Sequence, residues 1–304
     1  MQSNLDCTFF MDQIITYKSV EITIRRDDLL HPFVSGNKFR KLKYNLEHIK
    51  KNGFEGIVTF GGAFSNHIAA TAAAAFLKGI KSVGIIRGEE LNKSSNPTLQ
   101  FASDNGMEFL FISRENYTLR NQTEFISTIQ KQFPNYFIVP EGGSNKFAIL
   151  GCEEILTASD NNFDYITCAC GTGATIAGII NKTPDNTTVL GFAALNDFSI
   201  EDSIKNWSTN NKTWQLIYDY NLGGYAKTND GLILFINDFF NKFEIPLDPV
   251  YTGKMFYGIF DMIDTGRIAQ GSRVLAIHTG GLQGIKGMNE ILKKKNKHII
   301  NINY

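Results

Sequence analysis

Short apolar runs and helix-patterned segments alternate along most of the chain, and most changes from one to the other fall at a glycine-rich or polar turn. That alternation is the mark of parallel α/β layers, in which a helix carries the chain back over the sheet after each strand. Apolar runs predict strands at residues 19–26, 56–60, 83–86, 108–112, 136–139, 165–170, 188–193, 213–218 and 274–277. Helical patterning begins at Lys38 and at Ser65, the latter reaching about residue 78, and continues over 96–105, 123–132, 148–158, 200–208, 230–243 and 255–265. Residues 246–254 read as a loop, and Lys293, Lys294 and Lys295 as a solvated helix end. No repeat or low-complexity linker divides the chain. Turns that follow the strands of an open parallel sheet gather along one edge, so Ser65, Gly171 and Thr279 are expected to share it.

The 304 residues, 43% of them hydrophobic, can bury a large core in one or two domains. Thirty basic and thirty acidic side chains cancel, which leaves no global field for nucleic acid or an anionic membrane and points to a small partner. Residues 1–6 lack a basic segment followed by an apolar run, and no stretch approaches a membrane span, so a cytoplasmic protein is expected. Cys7, Cys152, Cys168 and Cys170 are too few for a disulfide scaffold in a chain this long, and no further ligands gather near them for a metal.

Two stretches carry chemistry. Ser35-Gly36-Asn37-Lys38 is a polar turn that delivers a lysine at the start of an amphipathic helix. Phe39, Leu42, Leu46 and Ile49 share one face, Lys38 falls at its edge, and Arg40 and Lys41 point away. A lysine beside an apolar wall loses hydration and its pKa falls, so the neutral amine can form a Schiff base with an aldehyde cofactor. On this stretch alone the clustering of Lys38 with Lys41, Lys43, Lys50 and Lys51 fits a solvated helix face better. The second stretch, Gly171-Thr172-Gly173-Ala174-Thr175, lies between a strand and a helix, where backbone N–H groups can approach a phosphate. A tight turn that merely lets the helix pack on the sheet is the alternative. A dinucleotide fingerprint would need glycine at the sixth position, where Ile176 stands, and a Rossmann site is disfavoured.

Six motifs resemble, in order and rough spacing, the 1-aminocyclopropane-1-carboxylate (ACC) deaminase/D-cysteine desulfhydrase family across about residues 25–282. They are Ser-Gly-Asn-Lys-Phe-Arg-Lys-Leu (35–42), Gly-Gly-Ala-Phe-Ser-Asn-His (61–67), Glu-Gly-Gly-Ser-Asn (141–145), Gly-Thr-Gly-Ala-Thr (171–175), Leu-Asp-Pro-Val-Tyr-Thr-Gly-Lys (247–254) and His-Thr-Gly-Gly (278–281). The resemblance implies the tryptophan synthase β-like fold of pyridoxal 5′-phosphate (PLP) enzymes, fold type II: two three-layer α/β/α domains with mainly parallel sheets. Residues 1–40 and 151–304 would form the large PLP-binding domain and 41–150 a smaller inserted α/β domain. A small amino-acid substrate and a homodimer are implied with it. By the same resemblance Lys38 matches the Schiff-base lysine, Asn66 the partner of the cofactor's 3′-oxygen, and Gly171, Thr172, Gly173, Ala174 and Thr175 the phosphate cup. Ser65 matches the serine at the substrate carboxylate, with Asn66, His67, Thr279 and Gly280 also at the substrate. Tyr225 and Tyr251 match the two active-site tyrosines and Thr252 the partner of the pyridine nitrogen.

The chain departs from the family at Phe64, where Gln is common, at Ala69, where Arg is frequent, and at Gln283, where proline is usual. The activity implied is β-elimination from D-cysteine or a similar amino acid to pyruvate, ammonia and sulfide, with Lys38 as the base and Tyr225 or Tyr251 protonating the leaving sulfur. ACC deamination and a PLP-binding homologue of altered or little activity are the alternatives. A nucleotide-binding module built on the Gly171 loop leaves Lys38, Ser65 and Asn66 unexplained. In ACC deaminases a glutamate follows the loop tyrosine, whereas Thr252 offers only a neutral hydrogen bond, which favours β-elimination over ring opening.

Overall fold

In the computed structural model, which describes residues 11–210 and 212–302, the first strands form a hairpin of β1 (Asp12–Tyr17) and β2 (Val20–Arg25). The readings of residues 1–6 and of Cys7 lie outside the described residues. Strand β1 escapes the sequence reading. Its turn residues Lys18 and Ser19 sit at φ 43° and 65°, a conformation that Asn-Gly usually signals, and its Ile14 is exposed on an edge.

There follow α1 (Asn37–Lys51), β3 (Gly56–Gly61), α2 (Asn66–Lys78), β4 (Lys81–Arg87), α3 (Pro97–Asp104), β5 (Met107–Ile112), α4 (Arg114–Thr118), α5 (Thr123–Gln132) and β6 (Tyr136–Val139). Strands β3 to β6 make a wholly parallel four-stranded sheet in the order β5-β4-β3-β6. Ile57 faces the side covered by α1 and α2, where it meets Leu42, Ile49 and Ala74. Val58 and Phe60 face the other side, where Tyr117 of α4 and Ile129 of α5 cover them. Helices therefore lie on both faces of this sheet.

The rest of the chain runs through α6 (Lys146–Glu153), β7 (Tyr165–Cys170), α7 (Ala174–Lys182), β8 (Thr188–Ala193), α8 (Ser199–Trp207), β9 (Trp214–Ile217), α9 (Asp230–Phe243), α10 (Thr252–Asp264), β10 (Arg273–Ile277) and α11 (Gly284–Lys294). With β1 and β2 these strands form a six-stranded sheet, β1-β2-β10-β7-β8-β9, parallel except at the β1 edge. Alternate residues sort to its two faces as the pleat requires. Ala169, Phe192, Val274 and Ala276 meet α9, α10 and α11, and Ile166, Cys168, Leu275 and Ile277 meet α6, α7 and α8. The fold is thus α/β with mainly parallel sheets, two of them among the described residues, each between helical layers. Among the described residues no helix is long and apolar enough to cross a membrane.

Three sequence readings change. Helix α6 stops at Glu153 rather than continuing to residue 158, because buried Arg25 donates to Ile155 O at 2.8 Å and to Asp160 and draws that segment out of helical geometry. Helix α10 opens at Thr252, inside the expected loop, because the Asp248 carboxylate accepts from the N–H groups of Val250, Tyr251 and Thr252 and organises the first turn. Gly253 belongs in that turn since a Cβ there would lie 2.6 Å from Asp248 O. Finally, Arg40 and Lys41 do not point to solvent. Helix α1 packs through both sides, and a Cβ on Gly151 of α6 would come within 2.0 Å of Arg40 O. Arg40 is buried and pairs with Asp27 at 3.0 Å, and Lys41 is buried as well.

Candidate active site

Ser65 follows β3 in one sheet, whereas Gly171 and Thr279 follow β7 and β10 in the other, so they do not share a single sheet edge. They line one cavity of about 1050 Å³ to which the two sheets present the ends of their strands. The α1 turn enters it against β10: Gly36 sits at φ 61°, and a Cβ there would fall 1.9 Å from Thr279 O. Only glycine allows that approach.

Asn37 then joins two parts of the site. Its amide donates to Thr175 Oγ1 at 2.9 Å, and its Oδ1 accepts from Lys38 Nζ at 3.1 Å. Lys38 keeps part of its surface open, and the space it opens onto is the cavity. Burial, and second the charge of Lys41, bring its amine down to about 7. Lys41 is a site residue the sequence reading misses, although a spacing of three on a helix puts it on the side of Lys38. Its Nζ donates to Gly142 O at 3.1 Å and lies 3.5 Å from Thr172 Oγ1 in the glycine loop, and burial lowers its pKa too.

Gly173, at φ 87°, caps α7, and among the described residues no side chain takes up the N–H groups of that helix's first turn. Gly171, Thr172, Gly173 and Thr175 line the cavity. The Ala174 side chain is instead packed on Ala148 and Ile149. Tyr251 stands beside this loop, where a Cβ on Gly171 would meet its Cε1 at 3.3 Å, and Tyr225 crosses it edge-on with ring centroids 6.2 Å apart. Both tyrosines line the cavity, and burial pushes both hydroxyls up, so they hold their protons at neutral pH. The turn carrying Tyr225 has positive φ at Leu222, Gly223, Gly224 and Ala226. A second unanticipated lysine, the buried Lys254, holds it by donating to Asn221 O at 2.7 Å and Gly224 O at 2.8 Å.

Ser65 caps α2, its Oγ accepting from Ile68 N at 3.3 Å. Asn66 packs against Gly281, whose φ of 95° and missing Cβ make room for the amide. His67 lies in the wall but offers nothing polar to a substrate. Thr59 Oγ1 spends its proton on Val139 O, so His67 Nε2 donates to Thr59 at 2.7 Å while Nδ1 faces Thr71 Oγ1 at 3.4 Å. Burial and the nearby lysines push the ring well below its usual range, so it is neutral.

Thr252 also leaves the expected set. Its hydroxyl donates to Asp248 Oδ1 at 2.8 Å and accepts from Asp248 N at 3.0 Å, it is wholly buried, and it does not reach the cavity wall. Thr279 and Gly280 do line the wall, as does Phe64, while Ala69 is buried inside α2 away from it.

Residues 15–280 match the family model described as pyridoxal-phosphate dependent enzyme. The chain belongs to this family of pyridoxal-phosphate dependent enzymes. It is 31% identical, over 87% of its length and 85% of the relative's, to a putative 1-aminocyclopropane-1-carboxylate deaminase of Pyrococcus horikoshii. A bifunctional D-cysteine desulfhydrase/1-aminocyclopropane-1-carboxylate deaminase, mitochondrial, of Arabidopsis thaliana is 29% identical over 87% of this chain and 73% of its own. Among solved structures, an ACC deaminase homologue superposes with a TM-score of 0.76 at 26% identity, covering 90% of this chain and 89% of that one. The donor set of this pyridoxal-phosphate dependent enzyme suits the cofactor. A low-pKa amine is available for an aldehyde, and a helix N-terminus without a side-chain cap among the described residues, with the Lys41 amine beside it, is available for a phosphate.

Proposed function

We propose that this enzyme catalyses β-elimination from a small amino acid, most like D-cysteine, releasing sulfide and an enamine that water hydrolyses to pyruvate and ammonia. The observation that carries the reading is the Lys38 amine, brought down to about 7 in a cavity that also holds two protonated tyrosine hydroxyls. Lys38 is the residue that holds the cofactor covalently and then, once free, takes the Cα proton, for which a pKa near 7 is well matched. The Gly171–Thr175 backbone and Lys41 receive the phosphate, and Asn66 the 3′-oxygen. Bound there, the cofactor supplies an electron sink for the charge left on Cα. Ser65 and the N–H groups at the start of α2 hold the substrate carboxylate, and Tyr225 or Tyr251 protonates the departing sulfur. Thr279, which lines the cavity where Thr252 does not, would take the place of Thr252 as a hydrogen-bond partner for the cofactor ring. The larger unit of residues 1–40 and 151–304, the inserted unit of 41–150, a homodimer and a cytoplasmic location complete the proposal.

ACC deamination is the competing reading, favoured by the names of the relatives. Opening an unactivated ring asks for a deeper sink, and residue 252, where ACC deaminases carry a glutamate, here turns its side chain away from the cavity to Asp248 and brings no charge to the site. Sulfide and pyruvate from D-cysteine, measured against 2-oxobutanoate from ACC, test the choice. Faster release from D-cysteine is expected. Faster release from ACC, or none from either, refutes it.

A further inference from the structure

The rim of the cavity carries Arg87 at the end of β4, Arg114 at the start of α4, and Arg120 beyond that helix. Two of these charges are spoken for. Arg114 pairs with Glu90, Nη1 to Oε2 at 3.0 Å. Arg120 Nε donates to Glu141 Oε2 at 2.7 Å, and Tyr117 supplies a second donor to that carboxylate at 2.7 Å. Arg87 has neither an ion pair nor a hydrogen bond among the described residues. Its contact is with the face of Tyr117, 5.9 Å from the ring centroid, at the outer limit of a cation–π interaction.

Its position is specific. A Cβ on Gly62 would lie 3.7 Å from Arg87 Nη2, so the guanidinium sits over the turn that leads into Ser65 and Asn66. Its charge also reaches Tyr225, where burial raises the hydroxyl and Arg87 works in the opposite direction. An unneutralised guanidinium is thus within reach of both the turn proposed for the substrate carboxylate and the tyrosine proposed for the leaving group. Glu89 and Glu90 follow it in sequence, but Glu90 is taken by Arg114 and neither lines the cavity. D-cysteine would leave this fork idle. A carboxylate or phosphate on the side chain of the substrate would fill it with paired, charge-assisted hydrogen bonds.

We propose that Arg87 makes this cavity selective for amino acids that carry a second anionic group on the side chain. The inference rests on the reading of the cavity as an amino-acid site and, within that site, ranks amino acids with an anionic side chain above D-cysteine. Isosteric pairs isolate the charge: aspartate against asparagine and glutamate against glutamine, both enantiomers, bound to the holoenzyme and measured by titration calorimetry. The acid of at least one pair is expected to bind about tenfold more tightly than its amide. Arg87→Gln is expected to bring that ratio to about one, and Arg87→Lys, which keeps the charge but loses the fork, to an intermediate value. A ratio near one in the unmodified holoenzyme overturns the inference. So does a loss of affinity in Arg87→Gln that is equal for acid and amide, since that would put the guanidinium on the α-carboxylate. D-cysteine turnover is assayed on the same preparations. A charge-dependent ratio without turnover refutes only the proposed reaction, and turnover without the ratio refutes only the role of Arg87.

Discussion

Lys38 and Lys41, one turn apart on α1, line the same cavity, and burial lowers the proton affinity of both amines. The pair divides two duties. Lys41 is anchored to Gly142 O and faces Thr172 beside the glycine loop, and its proximity is, after burial, the second cause of the lowered Lys38 amine.

This arrangement has a pH signature in the cofactor-free protein. The Lys38 amine falls from 10.5 to about 7 on folding, so the unfolded chain binds more protons between those values and folding strengthens as pH rises through the window. Below about 7 the penalty of enclosing the charged amine is present in full. Lys38→Met should therefore be more stable than the unmodified protein near pH 7, by up to about 4 kcal/mol, and the difference should shrink toward pH 10.5. Urea unfolding of both proteins across that range measures it. A difference that does not change with pH would show that the amine is hydrated.

Thr252 now belongs to the architecture of α10. Together with the N–H groups of Val250, Tyr251 and Thr252 it satisfies the buried Asp248 carboxylate. Thr252→Glu should not shift preference toward ACC; it would place a second carboxylate beside Asp248 without water and destabilise the fold by several kcal/mol. Thr252→Val, similar in shape, should cost about 1–3 kcal/mol and leave the spectrum of the bound cofactor alone. Unaltered stability with a changed spectrum would return the hydroxyl to the cofactor.

Lys254 should matter to catalysis through Tyr225. Lys254→Met removes the donors to Asn221 O and Gly224 O and frees a turn whose residues are held at positive φ. We expect kcat to fall about tenfold with the cofactor retained, and Tyr225→Phe to add little in that background, since both changes remove the same positioned hydroxyl. Independent, multiplying losses from the two changes would contradict the link.

The strands other than β1, and the turns that present Lys38, Ser65, Gly171 and Thr279, are legible in the sequence because each depends on local signals. These are apolar runs of strand length, glycines at close approaches, and a serine that caps α2. What is not legible depends on distant partners. Lys41 reads as a surface lysine until Gly142 and Thr172, 101 and 131 residues on, supply its acceptors. Lys254 reads as part of a loop until Asn221 and Gly224 close over it. Thr252 follows a tyrosine that does reach the cavity, and nothing local reveals that its hydroxyl turns back to Asp248. His67 likewise needs Thr59 and Thr71 in place before both ring nitrogens are seen to be occupied.

The central claim is that Lys38 holds the cofactor, and the fold provides two internal competitors, since Lys41 and Lys254 are also buried lysines with lowered pKa values. Lys41 is anchored at Gly142, and Lys254 is turned away to Asn221 and Gly224. Borohydride reduction of the holoenzyme followed by peptide mass mapping separates them. The account predicts the reduced pyridoxyl mass on Lys38, and a label carried only by Lys41, Lys254 or any other lysine would contradict it.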